Sequence, residues 1–227
     1  MQALLLIAAT LTGSPHVAVC DSPVGAATIL ENHVQSGTLL FSEGDCLAVR
    51  IFTKSPYTHV ATVVEQDGKF YVYDSMNGVG VRKLSLREYC RVEAPNTMHV
   101  YHPKRSFTAG KFQAFVDHLE SEIGREYGVK HHLSGERAKG IHCAEYVTDA
   151  LCACKIVSAK KPPKVSPDSL RAGVENADIY YSALKVTLDT QLPSASPESS
   201  CCERFWFNTK QRTRLICAKL KGWCLCK

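Results

Sequence analysis

Long apolar runs are missing from this sequence, which has no stretch of about 18 or more consecutive apolar residues, so an internal membrane-spanning helix is not expected. No internal repeat is visible either. An excess of one charge is also missing from most of the chain. Residues 201–227 hold seven of the 27 Lys and Arg residues and one of the 22 Asp and Glu residues, which leaves residues 1–200 with a net charge of −1. A neutral body of this kind does not indicate a nucleic-acid partner.

The composition is that of a globular protein with a core. Of the 227 residues, 45% are hydrophobic and 22% are charged, which fits one ordinary domain with appendages and argues against wholesale disorder. Cysteine is frequent, with 11 residues, five of them in the last 27 positions. An odd number cannot pair completely, so at least one thiol is free or bridges to another chain.

The first residues resemble a secretory signal in part. An apolar run over residues 3–11 is followed by Ala18-Val19-Cys20, which resembles a small-residue cleavage site, but no Lys or Arg precedes the run. The sequence therefore leaves two locations open: export to the periplasm, cell envelope or medium, and retention in the cytoplasm. The alternative interpretation of this segment is an N-terminal strand or an over-extended start.

Three zones follow from the pattern along the chain. Residues 1–35 are interpreted as a leader and connecting segment, residues 36–187 as the folded domain, and residues 188–227 as a linker followed by a basic, Cys-rich tail. The basic and aromatic residues of the tail predict either a weak contact with an anionic membrane surface or a poorly ordered or disulfide-linked appendage.

Turn signals and periodicity predict the elements of the central zone. Asp67-Gly68 is a pair favoured in two-residue type I′ hairpins, and Ser85-Leu86-Arg87-Glu88 has the spacing of a capping box that starts a short helix. Apolar residues recur at helical spacing over residues 112–123 and 147–154. Strands are predicted at residues 46–52, 59–65, 69–75, 80–84 and 97–102.

The hairpin would bring two polar side chains together. Counting outward from Asp67-Gly68 pairs Ala61 with Asp74, and the alternation of side chains then puts His59 on the same face as Asp74. Diagonal neighbours of this kind have Cα atoms roughly 7–8 Å apart, within reach of an imidazole–carboxylate hydrogen bond. A catalytic pair and a structural surface pair are both compatible with this placement.

Cys143 is predicted in the first turn, or at the cap, of the helix that contains residues 147–154. Free N–H groups and partial positive charge at a helix N-terminus, together with the neighbouring His142, would lower the thiol pKa from its usual value of about 8.5 and could bind an oxyanion. The alternative is a buried cysteine that only caps a helix.

Six segments together are similar to a known family. They are Gly44-Asp45-Cys46-Leu47, Ser55-Pro56-Tyr57-Thr58-His59-Val60, Tyr73-Asp74-Ser75 with Gly78-Val79-Gly80-Val81, Gly124-Arg125-Glu126-Tyr127-Gly128, His142-Cys143-Ala144-Glu145-Tyr146-Val147 and Ser166-Pro167-Asp168-Ser169-Leu170. The chain resembles, over roughly residues 38–175, the permuted papain-like hydrolases of the YiiX/YaeF type, which belong with the NlpC-like cysteine amidases and the lecithin:retinol acyltransferase-like enzymes. His59 precedes Cys143, the reverse of the ordinary papain-like order and the order expected of a circular permutation.

Carried over residue by residue, the resemblance implies that Cys143 is the nucleophile, His59 the general base and Asp74 the residue that orients the base. The third position often holds Glu or another polar group, and Ala144 stands where Ser often follows the nucleophile, so the chain departs from the family at these two positions. Tyr57 is a candidate for holding the oxyanion or lining the substrate cleft, with packing beside the strand as the alternative.

No metal site is predicted from the remaining His and Cys residues. His131-His132 is interpreted as part of a solvated loop, and the Cys152-x-Cys154 and Cys224-x-Cys226 pairs lack the spacing of structural zinc sites. Cys154 is expected in the core, on the apolar face of the last predicted helix.

The resemblance implies an α+β, circularly permuted papain-like fold. A small antiparallel sheet or partial barrel from residues 46–102 would pack against the nucleophile-bearing helix near 143–154, with the helix near 108–123 alongside. The implied function is a cysteine hydrolase that cleaves an amide, isopeptide or ester bond of a small-molecule, peptide or lipid acyl substrate through a thioacyl-enzyme, with no metal or organic cofactor. A lipid-type acyltransferase on the same triad and a catalytically silent binding module of the same fold are the alternatives.

Overall fold

The computed structural model describes residues 16–44, 47–93, 97–189, 200–203, 205–206, 209–210 and 213. Its elements alternate between strands and helices along the chain. The strands are β1 (His16–Cys20), β2 (Leu39–Glu43), β3 (Tyr57–Gln66), β4 (Lys69–Met76), β5 (Gly80–Ser85), β6 (Thr97–Pro103) and β7 (Tyr180–Leu188). The helices are α1 (Pro23–Glu31), α2 (Leu47–Thr53), α3 (Leu86–Glu93), α4 (Ala109–Ser121), α5 (His131–Ser134), α6 (Cys143–Ala153) and α7 (Pro167–Asn176), with a 3₁₀ turn at Pro162–Lys164.

The seven strands form one open sheet in the order β1-β7-β6-β2-β3-β4-β5. Every neighbouring pair is antiparallel except β1 and β7, which run parallel. The predicted α+β fold is confirmed. The sheet is larger than the one expected from residues 46–102, and it does not close into a barrel.

Alternating side chains build two cores, one on each face of the sheet. Phe41 and Val60 pack with residues of α4, α6 and α7, whereas their sequence neighbours Leu40 and Ala61 pack with residues of α1 and α3. The sheet is thus covered by helices on both faces. Every residue of α6 from Cys143 to Leu151 is buried, so this helix lies inside the molecule rather than on its surface.

The hairpin between β3 and β4 has the predicted turn and register. Asp67 and Gly68 both have positive φ, at 52° and 71°, as a type I′ turn requires. Gln66 pairs with Lys69, and the register continues through Thr62 and Tyr73. The next residues outward are therefore the ones predicted to lie opposite each other, Ala61 and Asp74.

The strand predicted at residues 46–52 is wrong. Residues Leu47–Thr53 form α2, with the hydroxyl of Thr53 donating to the carbonyl of Val49 at 2.8 Å, and Cys46 lies outside the described residues. A short apolar run does not distinguish a strand from a helix by periodicity alone. The other predicted strands and helices are present, and Ser85 accepts from the Glu88 N–H at 3.2 Å at the start of α3. Strands β2 and β7 and helices α1, α5 and α7 had no predicted counterparts.

The structure includes part of the zone interpreted as a leader. β1 pairs with β7, and Ala26, Ala27 and Leu30 of α1 are buried in the core beneath the sheet. A strand at this place is one of the alternatives that the sequence left open. Whether the first residues are a cleaved signal stays a prediction, because residues 1–15 lie outside the described part of the chain.

In the tail, Phe205 and Trp206 are exposed. No helix among the described residues is long and apolar enough to span a membrane.

Candidate active site

The N-terminus of α6 holds Cys143. His142 is the N-cap residue, with extended backbone angles, and its Nδ1 accepts from the N–H of Glu145 at 3.3 Å. Cys143 is the first residue of the helix and is buried. The N–H groups at the start of a helix have no partner within the helix, and they carry partial positive charge. The thiol is therefore placed where a negative charge is stabilised, as the sequence predicted.

His59 lies in β3, next to a bulge in the pairing with β2. Its Nε2 is 3.0 Å from Oδ2 of Asp74, so the ring donates to the carboxylate through this nitrogen. Interaction with Cys143 raises the pKa of His59, and Nδ1 is the ring nitrogen that the contact with Asp74 leaves free for this interaction. The structure thus brings Cys143, His59 and Asp74 into one chain of contacts, in that order.

Transfer of a proton from the thiol to the imidazole is favoured in this arrangement. Burial by itself would raise the pKa of Cys143, but the charge of His59 and the nearby imidazole of His142 lower that pKa to about 6. Burial would lower the pKa of His59, but the charge of Cys143 and the hydrogen bond to Asp74 raise it well above its usual value. Both shifts favour a thiolate–imidazolium pair over the neutral thiol and imidazole.

Arg82 fixes the carboxylate behind His59. Its Nε lies 2.8 Å from Oδ1 of Asp74 and its Nη2 3.0 Å from Oδ2, and the same Nη2 contacts Glu93 at 2.5 Å. Burial would raise the pKa of Asp74, but hydrogen bonds from His59 and Arg82 lower it. Sequence reasoning missed Arg82. Arg82 is the cross-strand partner of Asp74 in the β4–β5 pair, a register set by a three-residue loop that the Asn77-Gly78 turn signal does not specify.

The segment preceding α6 places Tyr127 near the thiol. Tyr127 forms an isolated parallel bridge with Ile141, and the hydroxyl of Ser75 in β4 donates to the Ile141 carbonyl at 2.7 Å. A Cβ built on Gly140 would lie 2.8 Å from the backbone of Gly128, so only glycine allows the two segments to approach this closely. Burial and the charge of Cys143 raise the pKa of Tyr127. Tyr127 lies in a segment that carried the resemblance, but sequence reasoning did not assign it to the site.

Tyr57 lies in an aromatic cluster. Its ring centroid is 6.1 Å from that of Phe41 and 5.1 Å from that of His99, and the Arg171 guanidinium lies 5.1 Å from the ring centroid. Burial and the nearby Tyr101 raise the pKa of Tyr57 to about 12. These contacts are those of a packed aromatic residue beside the strand, and a role for Tyr57 in binding the oxyanion or substrate stays a prediction.

A buried cluster of His131, His142 and Glu145 lies beside the nucleophile. The interpretation of His131 as part of a solvated loop is wrong, because His131 is 7% exposed in α5 and its Nε2 lies 2.6 Å from Glu145 Oε2. Tertiary packing against α6 buries this ring, and adjacent histidines in a sequence give no sign of that packing.

The same cluster is the one group of three potential metal ligands within the described part of the chain, with ligand atoms within 4.8 Å of one another. Several of its ligand atoms already form hydrogen bonds within the protein, whereas Oε1 of Glu145 is buried with no hydrogen-bond partner in the part of the chain that the structure describes. His142 Nδ1 accepts from a backbone N–H and its Nε2 donates to the Pro163 carbonyl at 3.0 Å, while His131 bonds to Glu145. A metal ion would have to displace these hydrogen bonds. The hydrogen bonds of this cluster stabilise the first turn of α6.

Comparison with known proteins shows which family the chain belongs to. The profile of a family described as "Permuted papain-like amidase enzyme, YaeF/YiiX, C92 family" matches residues 33–200. The chain belongs to this family. The match confirms both the resemblance found in the sequence and the circularly permuted papain-like fold.

A solved structure is also similar to this chain. The crystal structure of metalloprotein yiiX from Escherichia coli O157:H7 is 17% identical, covers 54% of this chain and 67% of its own, and superposes with a TM-score of 0.45. No curated protein matches the sequence significantly. Membership of the family supports papain-like hydrolase chemistry without defining the substrate.

Proposed function

We propose that the protein is a cysteine-dependent hydrolase in which Cys143 is the nucleophile, His59 the general base and acid, and Asp74 the residue that orients His59. One observation carries this proposal: a single imidazole lowers the pKa of the thiol at the start of α6 and bonds to a buried carboxylate held by Arg82. A residue that only capped the helix would need neither the imidazole nor the carboxylate behind it.

The proposed reaction begins with the ion pair. The Cys143 thiolate attacks the carbonyl carbon of the substrate, and N–H groups at the start of α6 stabilise the oxyanion. The His59 imidazolium then protonates the leaving group, which departs and leaves a thioacyl-enzyme. Neutral His59 next accepts a proton from water, and the resulting attack releases the acid and restores the thiol pair. The carboxylate of Asp74 keeps Nε2 protonated throughout, so that Nδ1 is the nitrogen that exchanges the proton.

The substrate is proposed only by class. The family description favours an amide or isopeptide bond, and an ester of a lipid-type acyl group uses the same steps with a better leaving group. Transfer to a second acceptor differs only in the nucleophile that attacks the thioacyl-enzyme. Measuring release of free acid against acyl transfer to an added amine or alcohol separates hydrolase from acyltransferase.

The first experiment measures thiol reactivity residue by residue. Iodoacetamide at pH 7, followed by peptide mass spectrometry, should modify Cys143 faster than Cys152, which is partly exposed but keeps a raised pKa because of burial. His59→Ala should slow labelling of Cys143 and leave Cys152 unchanged. Equal rates at the two thiols in the wild-type protein would favour a catalytically silent module.

The second experiment measures turnover. A chromogenic ester and an anilide should both be hydrolysed by the wild-type protein and by Cys152→Ala, which is the matched control. Cys143→Ala should hydrolyse neither substrate. A stoichiometric acyl adduct on Cys143, detected by intact mass after rapid quenching, should accompany turnover, and turnover that persists in Cys143→Ala would contradict the proposal.

A further inference from the structure

A cavity of about 460 Å³ lies at the end of α6 that is remote from Cys143. It is formed by the connection between β6 and α4, the residues just after α6 and the turn between α7 and β7. Because α6 has 11 residues, its last turn is about 15 Å from the thiol. The cavity is therefore separate from the candidate active site.

The cavity carries an uncompensated positive charge. It is lined by four basic residues, Lys104, Arg105, Lys111 and Lys155, and one acidic residue, Asp178, which pairs with Lys104. Lys111 donates to a carbonyl rather than to a carboxylate, and neither Arg105 nor Lys155 has an ion-pair partner among the described residues. Three cations thus remain unneutralised in a body whose residues 1–200 sum to −1.

The start of α4 adds hydrogen-bond donors to the same cavity. Its N-cap, Thr108, makes no side-chain cap hydrogen bond, and the first helical bond runs from the N–H of Phe112 to the Thr108 carbonyl. The N–H groups of residues 109–111 precede that bond and have no intrahelical acceptor. Thr108 and Lys111 both line the cavity, so its positive side chains and the positive end of a 13-residue helix coincide.

The neighbouring cavity shows that this charge is local. A cavity of about 380 Å³ shares Ser106 and Phe107 with the first but is lined by Glu65 and Asp67 and by no Lys or Arg. The two cavities lie side by side and differ in the sign of their charge. The positive potential therefore belongs to one cavity rather than to the whole face.

We propose that the positive cavity binds the phosphate group of a phosphate monoester, with the Arg105 guanidinium and the Lys111 and Lys155 ammonium groups as its counter-charges. A phosphate dianion matches several cations and several N–H donors better than a single carboxylate does. Phe107, Ile156 and Ile179 provide an apolar wall for the organic part of the ligand. The phosphate could be presented by a lipid headgroup or by a soluble compound, and the chemistry recognised is the same.

The test uses the full chain and two probes at low ionic strength. Inorganic phosphate is titrated while backbone amide shifts are recorded, and phosphatidylcholine vesicles with and without phosphatidate are used in flotation. Saturable shifts at residues 104–111 are expected, weakened about tenfold or more in the double variant Arg105→Gln/Lys111→Gln and unchanged in the matched control Lys69→Gln. Circular dichroism and Cys143 alkylation establish that the double variant remains folded.

The vesicle arm separates the two sources. Phosphatidate-dependent flotation that is lost in the double variant assigns the phosphate to a lipid, and phosphate binding without flotation assigns it to a soluble ligand. The proposal is overturned if neither probe binds, or if the double variant binds both probes as the wild-type protein does. Flotation that survives in the double variant would place membrane contact elsewhere, on the basic tail for example, and would leave only the phosphate titration to support the cavity.

Discussion

Two histidine–carboxylate pairs flank Cys143, and they differ in one respect that matters for chemistry. His59 contacts Asp74 at 3.0 Å through Nε2, and His131 contacts Glu145 at 2.6 Å through Nε2. The first imidazole also interacts with the thiol, whereas the second stacks on the ring of His142. A carboxylate behind a ring is therefore not sufficient. What distinguishes the proposed catalytic pair is the second nitrogen, which faces the nucleophile.

The largest difference between the pairs should appear when each imidazole is removed. His59→Ala should lower kcat/KM by about 10⁴-fold, because both the base and the counter-ion of the thiolate are lost. His131→Ala should change kcat/KM only a few-fold. It should instead lower the free energy of unfolding by about 1–3 kcal/mol, because Glu145 is fully buried and loses its nearest hydrogen-bond partner. Steady-state kinetics and thermal unfolding of the two variants measure this, and comparable losses of activity would remove the distinction.

Replacing the two carboxylates should give the next largest difference in activity, smaller than the difference between the histidine variants. Asp74→Asn should lower kcat by about 10²- to 10⁴-fold, because the amide can present its N–H to the ring and hold the wrong tautomer. Glu145→Gln keeps the shape of its side chain and should leave kcat within a few-fold. Pre-steady-state acylation rates provide the measurement. A similar loss of rate in both variants would mean that Glu145 also acts on the reacting groups.

The pH dependence of alkylation sharpens the comparison further. The thiolate of Cys143 should be lost as the pH falls through about 6, since its pKa is lowered to that value, and the alkylation rate should reach a plateau above it. Without His59 the midpoint should move upward, toward that of an ordinary thiol, and the rate at pH 7 should fall about tenfold. His131→Ala should keep the wild-type profile. An unshifted midpoint in His59→Ala would show that the imidazole does not hold the thiolate.

The smallest effect on activity is expected from a change of Arg82, which holds the carboxylate of Asp74. Arg82→Lys keeps the positive charge but loses the two-point contact with the carboxylate, so kcat should fall a few-fold while KM changes little. The pH profile of kcat should shift in the same variant, which a purely structural defect would not produce. An Arg91→Lys variant, on α3, is the matched control and should have neither effect.

Much of the site could be predicted because it depends on local rules. The type I′ turn at Asp67-Gly68 sets the register of β3 and β4, and register alone decides that His59 and Asp74 meet. The position of Cys143 followed from the apolar spacing of α6, whose first turn is defined by that pattern. The same count outward from Asn77-Gly78, taken as a two-residue turn, pairs Asp74 with Val81. The structure has a three-residue loop there, with Met76 opposite Gly80, and this shifts the partner of Asp74 to Arg82.

The remaining features depend on contacts distant in sequence. The apolar run of α2 fits a strand or a helix equally well by its periodicity. The burial of His131 results from its approach to Glu145 on α6, and the parallel pairing of β1 with β7 joins segments about 170 residues apart, by the register of His16 with Leu184. No turn signal or periodicity in a single sequence reports such contacts.

The pairing of β1 with β7 has a consequence for the order of the chain. Cys20 lies beside Leu188 and His16 beside Leu184, so the end of β7 and the start of β1 are separated by about 14 Å. A linker of about six residues could join them, and the chain could then be opened in the connection between β6 and α4. In the rearranged polypeptide the cysteine would precede the histidine in sequence, and every strand would keep the same neighbours in the sheet. Permutation within this fold would thus be a matter of where the chain is cut rather than of how the molecule is built.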